Sequence, residues 1–251
     1  MTDIIMRGCN GRMGQFITKI VKEDADCQIV AGIDPFDGIK NDYPVFKTLE
    51  ECNVKADVVV DFTQASQLDE LLSYCMKTKL PIVLCTTGFD EAQLKKIDEA
   101  SKEIAILKSA NMSLGINLLL KLLKEVSKGL SDEGFDIEIV EKHHNQKKDA
   151  PSGTAIALAD AINDSCDNSL EYVYDRHDKV GKRDKKELGI SAVRGGSIVG
   201  QHEVIFAGED EVITFEHTAY SRAIFAKGAV AAAKFLKGKT SGFYDMQDVI
   251  G

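Results

Sequence analysis

The chain has 251 residues, of which 44% are apolar and 28% charged, and it carries a formal net charge of −9 at pH 7. This composition is typical of a globular protein with room for two domains, and the acidic charge provides no general attraction for nucleic acid. No run reaches the roughly 18 consecutive apolar residues of a membrane span, and the first residues lack the pattern of a signal peptide, so we expect a cytoplasmic protein with no membrane partner.

A short apolar strand at 4–6 leads into a glycine-rich turn at 8–14 with the sequence GCNGRMG. Apolar residues at helical spacing follow the turn, and a second strand from Gln28 ends at Asp34. In a dinucleotide site the glycines let the backbone approach the pyrophosphate, the helix N-terminus stabilises its charge, and the acid accepts from the ribose hydroxyls. The region therefore predicts a dinucleotide site. Asn10 replaces the middle glycine of the common G-x-G-x-x-G pattern, and a glycine-rich turn without a ligand is the alternative.

Strands and helices continue to alternate up to residue 107. The apolar run ADVVVDF at 56–62 is typical of a strand buried on both faces of a parallel sheet. Small or polar residues follow this strand and the next two, and an open parallel sheet binds its ligand at that carboxyl edge. The other predicted elements are helices at 65–76 and 91–100 and strands at 81–85 and 104–107, and the polar segments are 61–63, 86–88 and 109–111.

The second half of the chain has a different pattern. A strongly apolar helix is predicted at 114–130, and an alanine-rich helix at 223–236 is expected to pack back on one of the sheets. Between them, glycine-containing turns separate alternating strands, which indicates an antiparallel sheet. The charged segment 164–186 predicts no defined element. The alternating strands are 190–194, 198–207 and 212–218.

These patterns predict an α/β fold with two domains. A Rossmann-like parallel sheet is expected to form a dinucleotide-binding domain over residues 1–112, with 223–251 packing back on it. Residues 113–222 are expected to form a smaller α+β domain with a mixed or antiparallel sheet, for substrate binding and oligomerisation.

The segment 139–155, IVEKHHNQKKDAPSGTA, holds a dense cluster of chemically active side chains. An alternating apolar strand runs into His143, His144 and two lysines. Ser152 comes directly before small and apolar residues at helical spacing, so Ser152 to Thr154 should form a helix N-terminus with outward N–H groups. Cations beside a helix N-terminus predict a carboxylate or phosphate site, and a solvated charged loop is the alternative.

Seven distinct motifs occur in order along nearly the whole chain. They are GCNGRMG at 8–14, DFT at 61–63, TTGF at 86–89, ANMSLGIN at 110–117, EKHHNQKKDAPSGTA at 141–155, VRGGSIVGQHEV at 193–204 and SGFYDM at 241–246. In these motifs the sequence closely resembles the dihydrodipicolinate reductase family of bacterial lysine and diaminopimelate biosynthesis. Cys85 stands where that family often has glycine, and Met112 where it often has phenylalanine, so only details of cofactor fit are affected.

The resemblance implies reduction of a cyclic, imine-containing dicarboxylate to tetrahydrodipicolinate by hydride from NADH or NADPH, with loss of water when the substrate is 4-hydroxy-tetrahydrodipicolinate. The electron-rich enamine that results must be protonated, and histidine suits this role near neutral pH. The match implies that His143 is the proton donor and Lys147 a second catalytic cation. The implied substrate-binding residues are His144, Ser152, Gly153 and Thr154. The implied cofactor-binding residues are Gly8, Asn10, Gly11, Arg12, Met13, Asp34, Cys85, Thr86, Thr87, Ser109, Ala110, Asn111 and Met112.

NADH is expected to be preferred, because the carboxylate of Asp34 suits free ribose hydroxyls and repels a 2′-phosphate. The next residues offer no arginine to offset it, although Lys40 could reach back. The resemblance also implies a homotetramer formed through the second domain's sheet.

Two other functions use the same layout: a catalytically silent NAD-binding regulator, and a dehydrogenase for another small acid such as aspartate or a homoserine precursor. A mere redox sensor has no need for a dicarboxylate site, so the histidine loop favours the reductase. The six cysteines lack metal-ligand spacing, which predicts reduced thiols and no metal. The isolated histidines His177, His202 and His217 are expected to be structural.

Overall fold

The computed structural model describes residues 1–177 and 179–251. The chain forms two compact units: unit 1 comprises Met1–Leu114 and Ala223–Gly251, and unit 2 comprises Gly115–Arg222. Within the described part of the chain, none of the helices combines the length and the apolarity needed to cross a membrane.

The strands and helices are named in chain order. The strands are β1 (Thr2–Arg7), β2 (Cys27–Ile33), β3 (Val45–Phe46), β4 (Val58–Asp61), β5 (Ile82–Leu84), β6 (Ala105–Lys108), β7 (Asp136–His143), β8 (Glu171–Val173), β9 (Glu187–Arg194), β10 (Gly200–Ala207), β11 (Val212–Ala219) and β12 (Gly242–Tyr244). The helices are α1 (Arg12–Lys22), α2 (Leu68–Thr78), α3 (Glu91–Ser101), α4 (Leu114–Asp132), α5 (Gly153–Ser165), α6 (Ala223–Leu236) and α7 (Met246–Ile250). Elements β3, β8, β12 and α7 were not predicted, because runs of two to five residues carry too little periodicity.

Unit 1 is built on a parallel sheet, which in the described residues has the strand order β12-β6-β5-β4-β1-β2-β3. All of its paired strands run in the same direction. The order from β6 to β3 is that of a Rossmann-type sheet, which confirms the predicted fold class. The central strands β1 and β4 are buried on both faces, with α1 and α6 covering one face and α2 and α3 the other.

The alanine-rich helix α6 packs on the sheet of unit 1. It contacts β4 and β5 as well as α1. Its buried face consists largely of small side chains, including Ala226, Ala229 and Ala233, which have no exposed area. Small side chains let a helix lie close to a sheet, so this segment completes the hydrophobic core of unit 1 although it is distant in sequence.

Unit 2 is built on a mixed sheet, with the strand order β11-β10-β7-β9-β8 in the described residues. Strand β10 runs antiparallel to β11 and β7, but β7 and β9 run parallel, as do β8 and β9. The sheet is therefore mixed, which confirms the prediction of a mixed or antiparallel sheet, and half of its pairings are parallel. The reason is that α5 intervenes between β7 and its neighbour β9, and a helical crossover joins parallel strands. The charged segment 164–186 contains β8, and its residue 178 lies outside the described residues.

Strand β7 positions the histidine loop. Its residues alternate between partly exposed and buried, so that Ile137, Ile139, Glu141 and His143 share the buried face. The two isoleucines pack in a core with side chains from α4 and α5. Glu141 and His143 therefore lie on the same buried face as the isoleucines, where a carboxylate and an imidazole each require a hydrogen-bond or ion-pair partner.

Candidate active site

The glycine-rich turn of unit 1 lies beside a cavity of about 490 Å³. Gly8 has φ of +80°, and a Cβ atom there would lie 2.7 Å from the carbonyl oxygen of Phe62, so the turn requires glycine. Helix α1 begins directly after Gly11 without a side-chain cap, which leaves its first N–H groups to a ligand or solvent. Gly8, Gly11 and Asp34 line this cavity, together with Lys47. These residues fit a dinucleotide: a close backbone approach, a helix N-terminus and an acid lie together.

Asp34 also holds the turn in place. Its Oδ2 accepts from the amide of Asn10 at 3.0 Å, and its Oδ1 accepts from the amide of Phe36 at 3.0 Å. The side-chain amide of Asn10 donates to the carbonyl of Phe36, and its oxygen accepts from Asn41 at 2.8 Å. The asparagine at the position of the missing glycine therefore joins the turn to the loop after β2.

Asp61 joins three loops at the carboxyl edge of the sheet. Its carboxylate accepts from Arg7 at 3.0 Å, from the hydroxyl of Thr63 at 2.8 Å and from the hydroxyl of Thr86 at 2.6 Å. The amide of Thr63 in turn donates to the Thr86 hydroxyl at 3.0 Å. The side chain of Thr86, predicted to bind cofactor, is therefore engaged in holding the ends of β4 and β5 together.

The other predicted cofactor residues are distributed around the same edge. Arg12 and Thr87 are exposed, Met13 packs partly against the core, and Ser109, Ala110, Asn111 and Met112 follow β6. Burial raises the pKa of the half-buried Cys85 thiol well above its usual value, so this group is a neutral thiol at neutral pH. Lys40, suggested as a possible partner for a 2′-phosphate, is exposed, whereas Lys47 lines the cavity with Asp34.

In unit 2, His143 belongs to a buried ion network. Its Nδ1 lies 2.6 Å from Oε2 of Glu141, a carboxylate with no exposed area. Arg194 donates to both oxygens of that carboxylate, with Nη1 at 2.7 Å and Nη2 at 2.6 Å. Burial alone would raise the pKa of Glu141, but Arg194, His143 and the amide of Ser152 together hold that pKa below its usual value. Glu141 is therefore an anion fixed by two basic side chains.

The start of α5 is tied into the same network. The amide of Ser152 donates to Oε1 of Glu141 at 2.9 Å, and the Ser152 hydroxyl accepts from the amide of Ala155 at 3.1 Å as a helix N-cap. The same hydroxyl lies 3.0 Å from Nε2 of His202, whose ring contacts that of His143 edge-to-face at 5.2 Å between centroids. Burial and the neighbouring His143 lower the pKa of His202 to about 4, so His202 is neutral at pH 7.

The remaining residues of the loop are more accessible. Lys147 pairs with Asp149 at 2.9 Å, and its side chain is 20% exposed. A cavity of about 450 Å³ is lined by His144, Asn145 and Gln146, and by Arg222. Among the described residues, the lining of this cavity includes His144 but neither His143 nor Lys147.

Glu141 and Arg194 are the functional candidates that sequence reasoning missed. The signal for Glu141 was present: on a strand it shares a face with two buried isoleucines and with His143, and a glutamate on a buried face needs a cationic partner. Arg194 ends a parallel neighbour of β7 and lies opposite His143 in the strand register. That pairing depends on the crossover through α5, which the sequence did not reveal.

Comparisons with known proteins show the family of this chain. The family model for the N-terminal part of dihydrodipicolinate reductase matches residues 2–112, and the model for its C-terminal part matches residues 115–250. The chain belongs to the dihydrodipicolinate reductase family. Membership makes it a pyridine-nucleotide-dependent oxidoreductase of the reduction step in lysine and diaminopimelate biosynthesis. The N-terminal match coincides with the parallel sheet of unit 1, so this reductase has its nucleotide-binding fold there.

Individual relatives cover the whole chain. The 4-hydroxy-tetrahydrodipicolinate reductase of Caldanaerobacter subterraneus subsp. tengcongensis is 52% identical over 250 residues, which cover 100% of this chain and 98% of the relative. That of Clostridium tetani is 54% identical over 246 residues, covering 98% and 96%. A solved dihydrodipicolinate reductase from Paenisporosarcina sp. TG-14, bound to dipicolinate, superposes with a TM-score of 0.83 at 25% identity and covers 99% of both chains.

Proposed function

We propose that this reductase converts 4-hydroxy-tetrahydrodipicolinate to tetrahydrodipicolinate, with unit 1 holding the nucleotide and unit 2 holding the dicarboxylate. The observation that carries the proposal is a buried histidine, His143, whose Nδ1 is fixed at 2.6 Å from an ionised Glu141 at the start of a cation-rich loop. The relative bound to dipicolinate, which is a cyclic dicarboxylate, supports the same class of ligand for this chain.

The two carboxylates of the substrate require cations and N–H donors. Lys147 provides a cation in the loop and His144 a ring N–H donor, and the partly exposed pair of Lys147 with Asp149 can open in favour of a substrate carboxylate. The N-terminus of α5 carries partial positive charge at Gly153 and Thr154, next to a Ser152 side chain that already caps the helix. Together these groups suit a small, doubly charged ring.

The reaction then requires a hydride and a proton. After water leaves the hydroxylated ring, bound NADH would supply the hydride to the carbon that is conjugated with the imine, which leaves an electron-rich enamine. His143 would supply the proton that the electron-rich product accepts, because imidazolium is the side-chain acid closest to neutral pH. Lys147 would stabilise the charge that develops on the substrate, and the buried surroundings of His143 keep competing water from its ring.

The nucleotide is proposed to be NADH in preference to NADPH. The carboxylate of Asp34 lines the cavity beside the glycine turn, where it would repel a 2′-phosphate, while Lys47 lines the same cavity and would offset part of that repulsion. Asp34→Asn keeps an oxygen for the Asn10 amide but removes the charge, and we expect it to raise the ratio of kcat/KM for NADPH to that for NADH several-fold. A wild-type kcat/KM at least as high with NADPH as with NADH would overturn the preference.

The assembly is proposed to be a homotetramer formed through the sheet of unit 2. Within the described residues β11 is an edge strand, and an unpaired edge is a site for association. The sheet also carries a partly exposed polar network in which Lys142 pairs with Glu203 and Gln201 donates to Glu216 at 2.6 Å. Light scattering at micromolar concentration should give four times the chain mass, and a stable monomer would refute the assembly.

The function is tested by following NADH absorbance with purified protein and enzymatically generated 4-hydroxy-tetrahydrodipicolinate. We expect turnover that depends on this precursor and that dipicolinate inhibits. Turnover only with another small acid, such as an aspartate or homoserine precursor, would make the chain a different dehydrogenase. NADH binding without turnover of any of these acids would favour a silent regulator.

A further inference from the structure

The carboxylate of Glu141 is the meeting point of the buried network in unit 2. It accepts from Nδ1 of His143, from both terminal nitrogens of Arg194 and from the amide of Ser152, over distances of 2.6 to 2.9 Å. Its own side chain is fully buried, so it cannot itself meet the substrate through open solvent. A group placed in this way acts on the reaction through the residues it holds.

We propose that Glu141 is the positioning residue of His143: it fixes the proton of Nδ1, stabilises the imidazolium, and leaves Nε2 as the nitrogen from which the proton is donated. The inference rests on the proposed role of His143 as proton donor. It adds the atom that donates and the two residues, the buried Glu141 and the partly exposed Arg194, that set how strongly the proton is held.

The chemistry of an ionised carboxylate requires this arrangement. Such a group only accepts hydrogen bonds, so the 2.6 Å contact requires a hydrogen on Nδ1 of His143 in both charge states of the ring. The ring can then lose a proton only from Nε2. During the reaction the Nε2–H bond breaks, its electron pair stays on the imidazole, and the proton bonds to the enamine, so that hydride plus proton reduce the substrate by two electrons.

A glycine on the neighbouring strand lies beside Nε2 of His143. A Cβ atom at Gly200 would lie 3.1 Å from Nε2 of His143, closer than side chains normally approach. Gly200 starts β10, where it is buried. A larger side chain at this position would press on the nitrogen that carries the transferable proton.

The charged groups around His143 come from every element that packs on it. On its own strand there is Glu141; from β9 there is Arg194, which lies opposite His143 in register. From β10 there is His202, which is neutral because burial and His143 lower its pKa to about 4. From the loop that follows there is Lys147, paired with Asp149, while Ser152, the N-cap of α5, is uncharged. The carboxylate of Glu141 therefore lies between two basic groups, the imidazole of His143 and the guanidinium of Arg194.

This order of charges gives two variants with opposite effects. Proton donation requires the protonated ring, so kcat should fall at high pH. Glu141→Gln leaves the Arg194 cation uncompensated beside the ring and makes its proton easier to lose, so the fall in kcat should move to lower pH by about one pH unit or more. Arg194→Gln leaves the Glu141 anion without its guanidinium partner, so the ring should hold its proton more strongly and the fall should move to higher pH.

The experiment is the pH profile of kcat for the full chain with saturating NADH and precursor. Besides the shift, Glu141→Gln should lose at least about ten-fold in kcat at its optimum, because a ring free to turn forfeits part of the general-acid effect. Glu141→Asp, which keeps the charge, should retain more of kcat than Glu141→Gln and should show a smaller shift of the pH profile. Glu138→Gln is the matched control: Glu138 lies on the same strand and pairs with an arginine, Arg183, at 2.9 Å, and its profile should match that of wild type.

Thermal unfolding of each variant separates folding from positioning. If Glu141→Gln does not fold, the other two variants still test the inference. The pH profile of Arg194→Gln should shift to higher pH, and that of Glu141→Asp should stay near the wild-type profile. Equal losses of kcat with an unmoved profile in the folded variants would mean that the network is only structural and would overturn the inference. Absence of turnover in wild type would instead refute the proposed function.

Discussion

The nucleotide region of unit 1 and the histidine loop of unit 2 are built by different means. In unit 1 the proposed ligand surface depends on backbone at the turn at Gly8, at the start of α1 and in the loop after β4. In unit 2 the proposed ligand surface is made of side chains, and the ring of His143 is held by a buried carboxylate. Adding atoms should disrupt ligand binding to a backbone surface, whereas removing functional groups should disrupt a site made of side chains. Substitutions can test both effects.

Both regions nevertheless contain a buried acid paired with an arginine. Asp61 pairs with Arg7 at 3.0 Å and Glu141 pairs with Arg194 at 2.6 Å. The difference lies in the third partner: Asp61 binds threonine hydroxyls and so joins loops, while Glu141 binds the ring of the proposed proton donor, His143. Removing one member of either pair leaves a buried charge, which typically costs about 3–5 kcal/mol. Only at Glu141 should the change also move the pH profile.

The largest effect should come from the proton donor. General acid catalysis typically contributes about 10²–10⁴-fold, so His143→Gln should lower kcat by roughly two orders of magnitude or more. The KM for NADH should change little, because the glycine turn lies in the other unit. Steady-state kinetics at saturating precursor measures both values.

The control for this variant is His177→Gln. His177 is mostly exposed, at 73% of its side chain, and contacts Asp175 at 3.1 Å. We expect near-wild-type kcat. A normal kcat for His143→Gln together with a loss for His177→Gln would mean that the active site is not in the histidine loop.

The next effect should come from the accessible cation of the loop. A charge-assisted contact is worth about 1.5–3 kcal/mol, so Lys147→Ala should lower kcat/KM for the precursor by about 10- to 150-fold and weaken dipicolinate binding. Its ion-pair partner Asp149 is exposed, at 59% of its side chain, so folding should be nearly unaffected. Unchanged inhibition by dipicolinate would remove Lys147 from the carboxylate site.

In unit 1 the corresponding test adds a methyl group. Gly8→Ala places a Cβ atom at a residue with φ of +80° and 2.7 Å from the carbonyl of Phe62. A left-handed conformation costs an ordinary residue about 1–2 kcal/mol, so the turn should distort and the Kd for NADH should rise by roughly ten-fold or more. Fluorescence titration of NADH measures this change. A normal Kd would place the nucleotide away from this turn.

The smallest effect is expected at the start of α5. Thr154→Val keeps the backbone N–H groups and removes only the hydroxyl, and a single hydrogen bond contributes about 0.5–1.5 kcal/mol. The KM for the precursor should therefore rise by about two- to ten-fold, with little change in kcat. A large loss of kcat would mean that the hydroxyl of Thr154 takes part in the chemistry itself.

Much of unit 1 could be predicted from the sequence, because its signals are local. Glycine spacing at 8–14, a continuous apolar strand at 58–61 and helical periodicity each lie within a few residues, and together they define a parallel sheet with a turn at its carboxyl edge. The short outer strands β3 and β12 were missed because they owe their conformation to pairing with β2 and β6.

The histidine loop could be found from sequence, but the network behind it could not. His143, Lys147 and Ser152 lie within ten residues of one another, whereas Arg194 reaches Glu141 only because β9 pairs with β7 across α5. His202 likewise reaches Ser152 through the pairing of β10 with β7. Strand register of this kind is a tertiary property, which local patterns do not determine.

The most direct test of the division between the two sites is to titrate both ligands on both variants, with NADH alone and with dipicolinate in saturating NADH. Gly8→Ala should weaken NADH by roughly ten-fold or more and leave the Kd for dipicolinate near its wild-type value. Lys147→Ala should weaken dipicolinate by about ten-fold or more and leave the Kd for NADH unchanged. If Lys147→Ala instead weakened NADH and left dipicolinate unaffected, the assignment of the dicarboxylate to the histidine loop would be wrong.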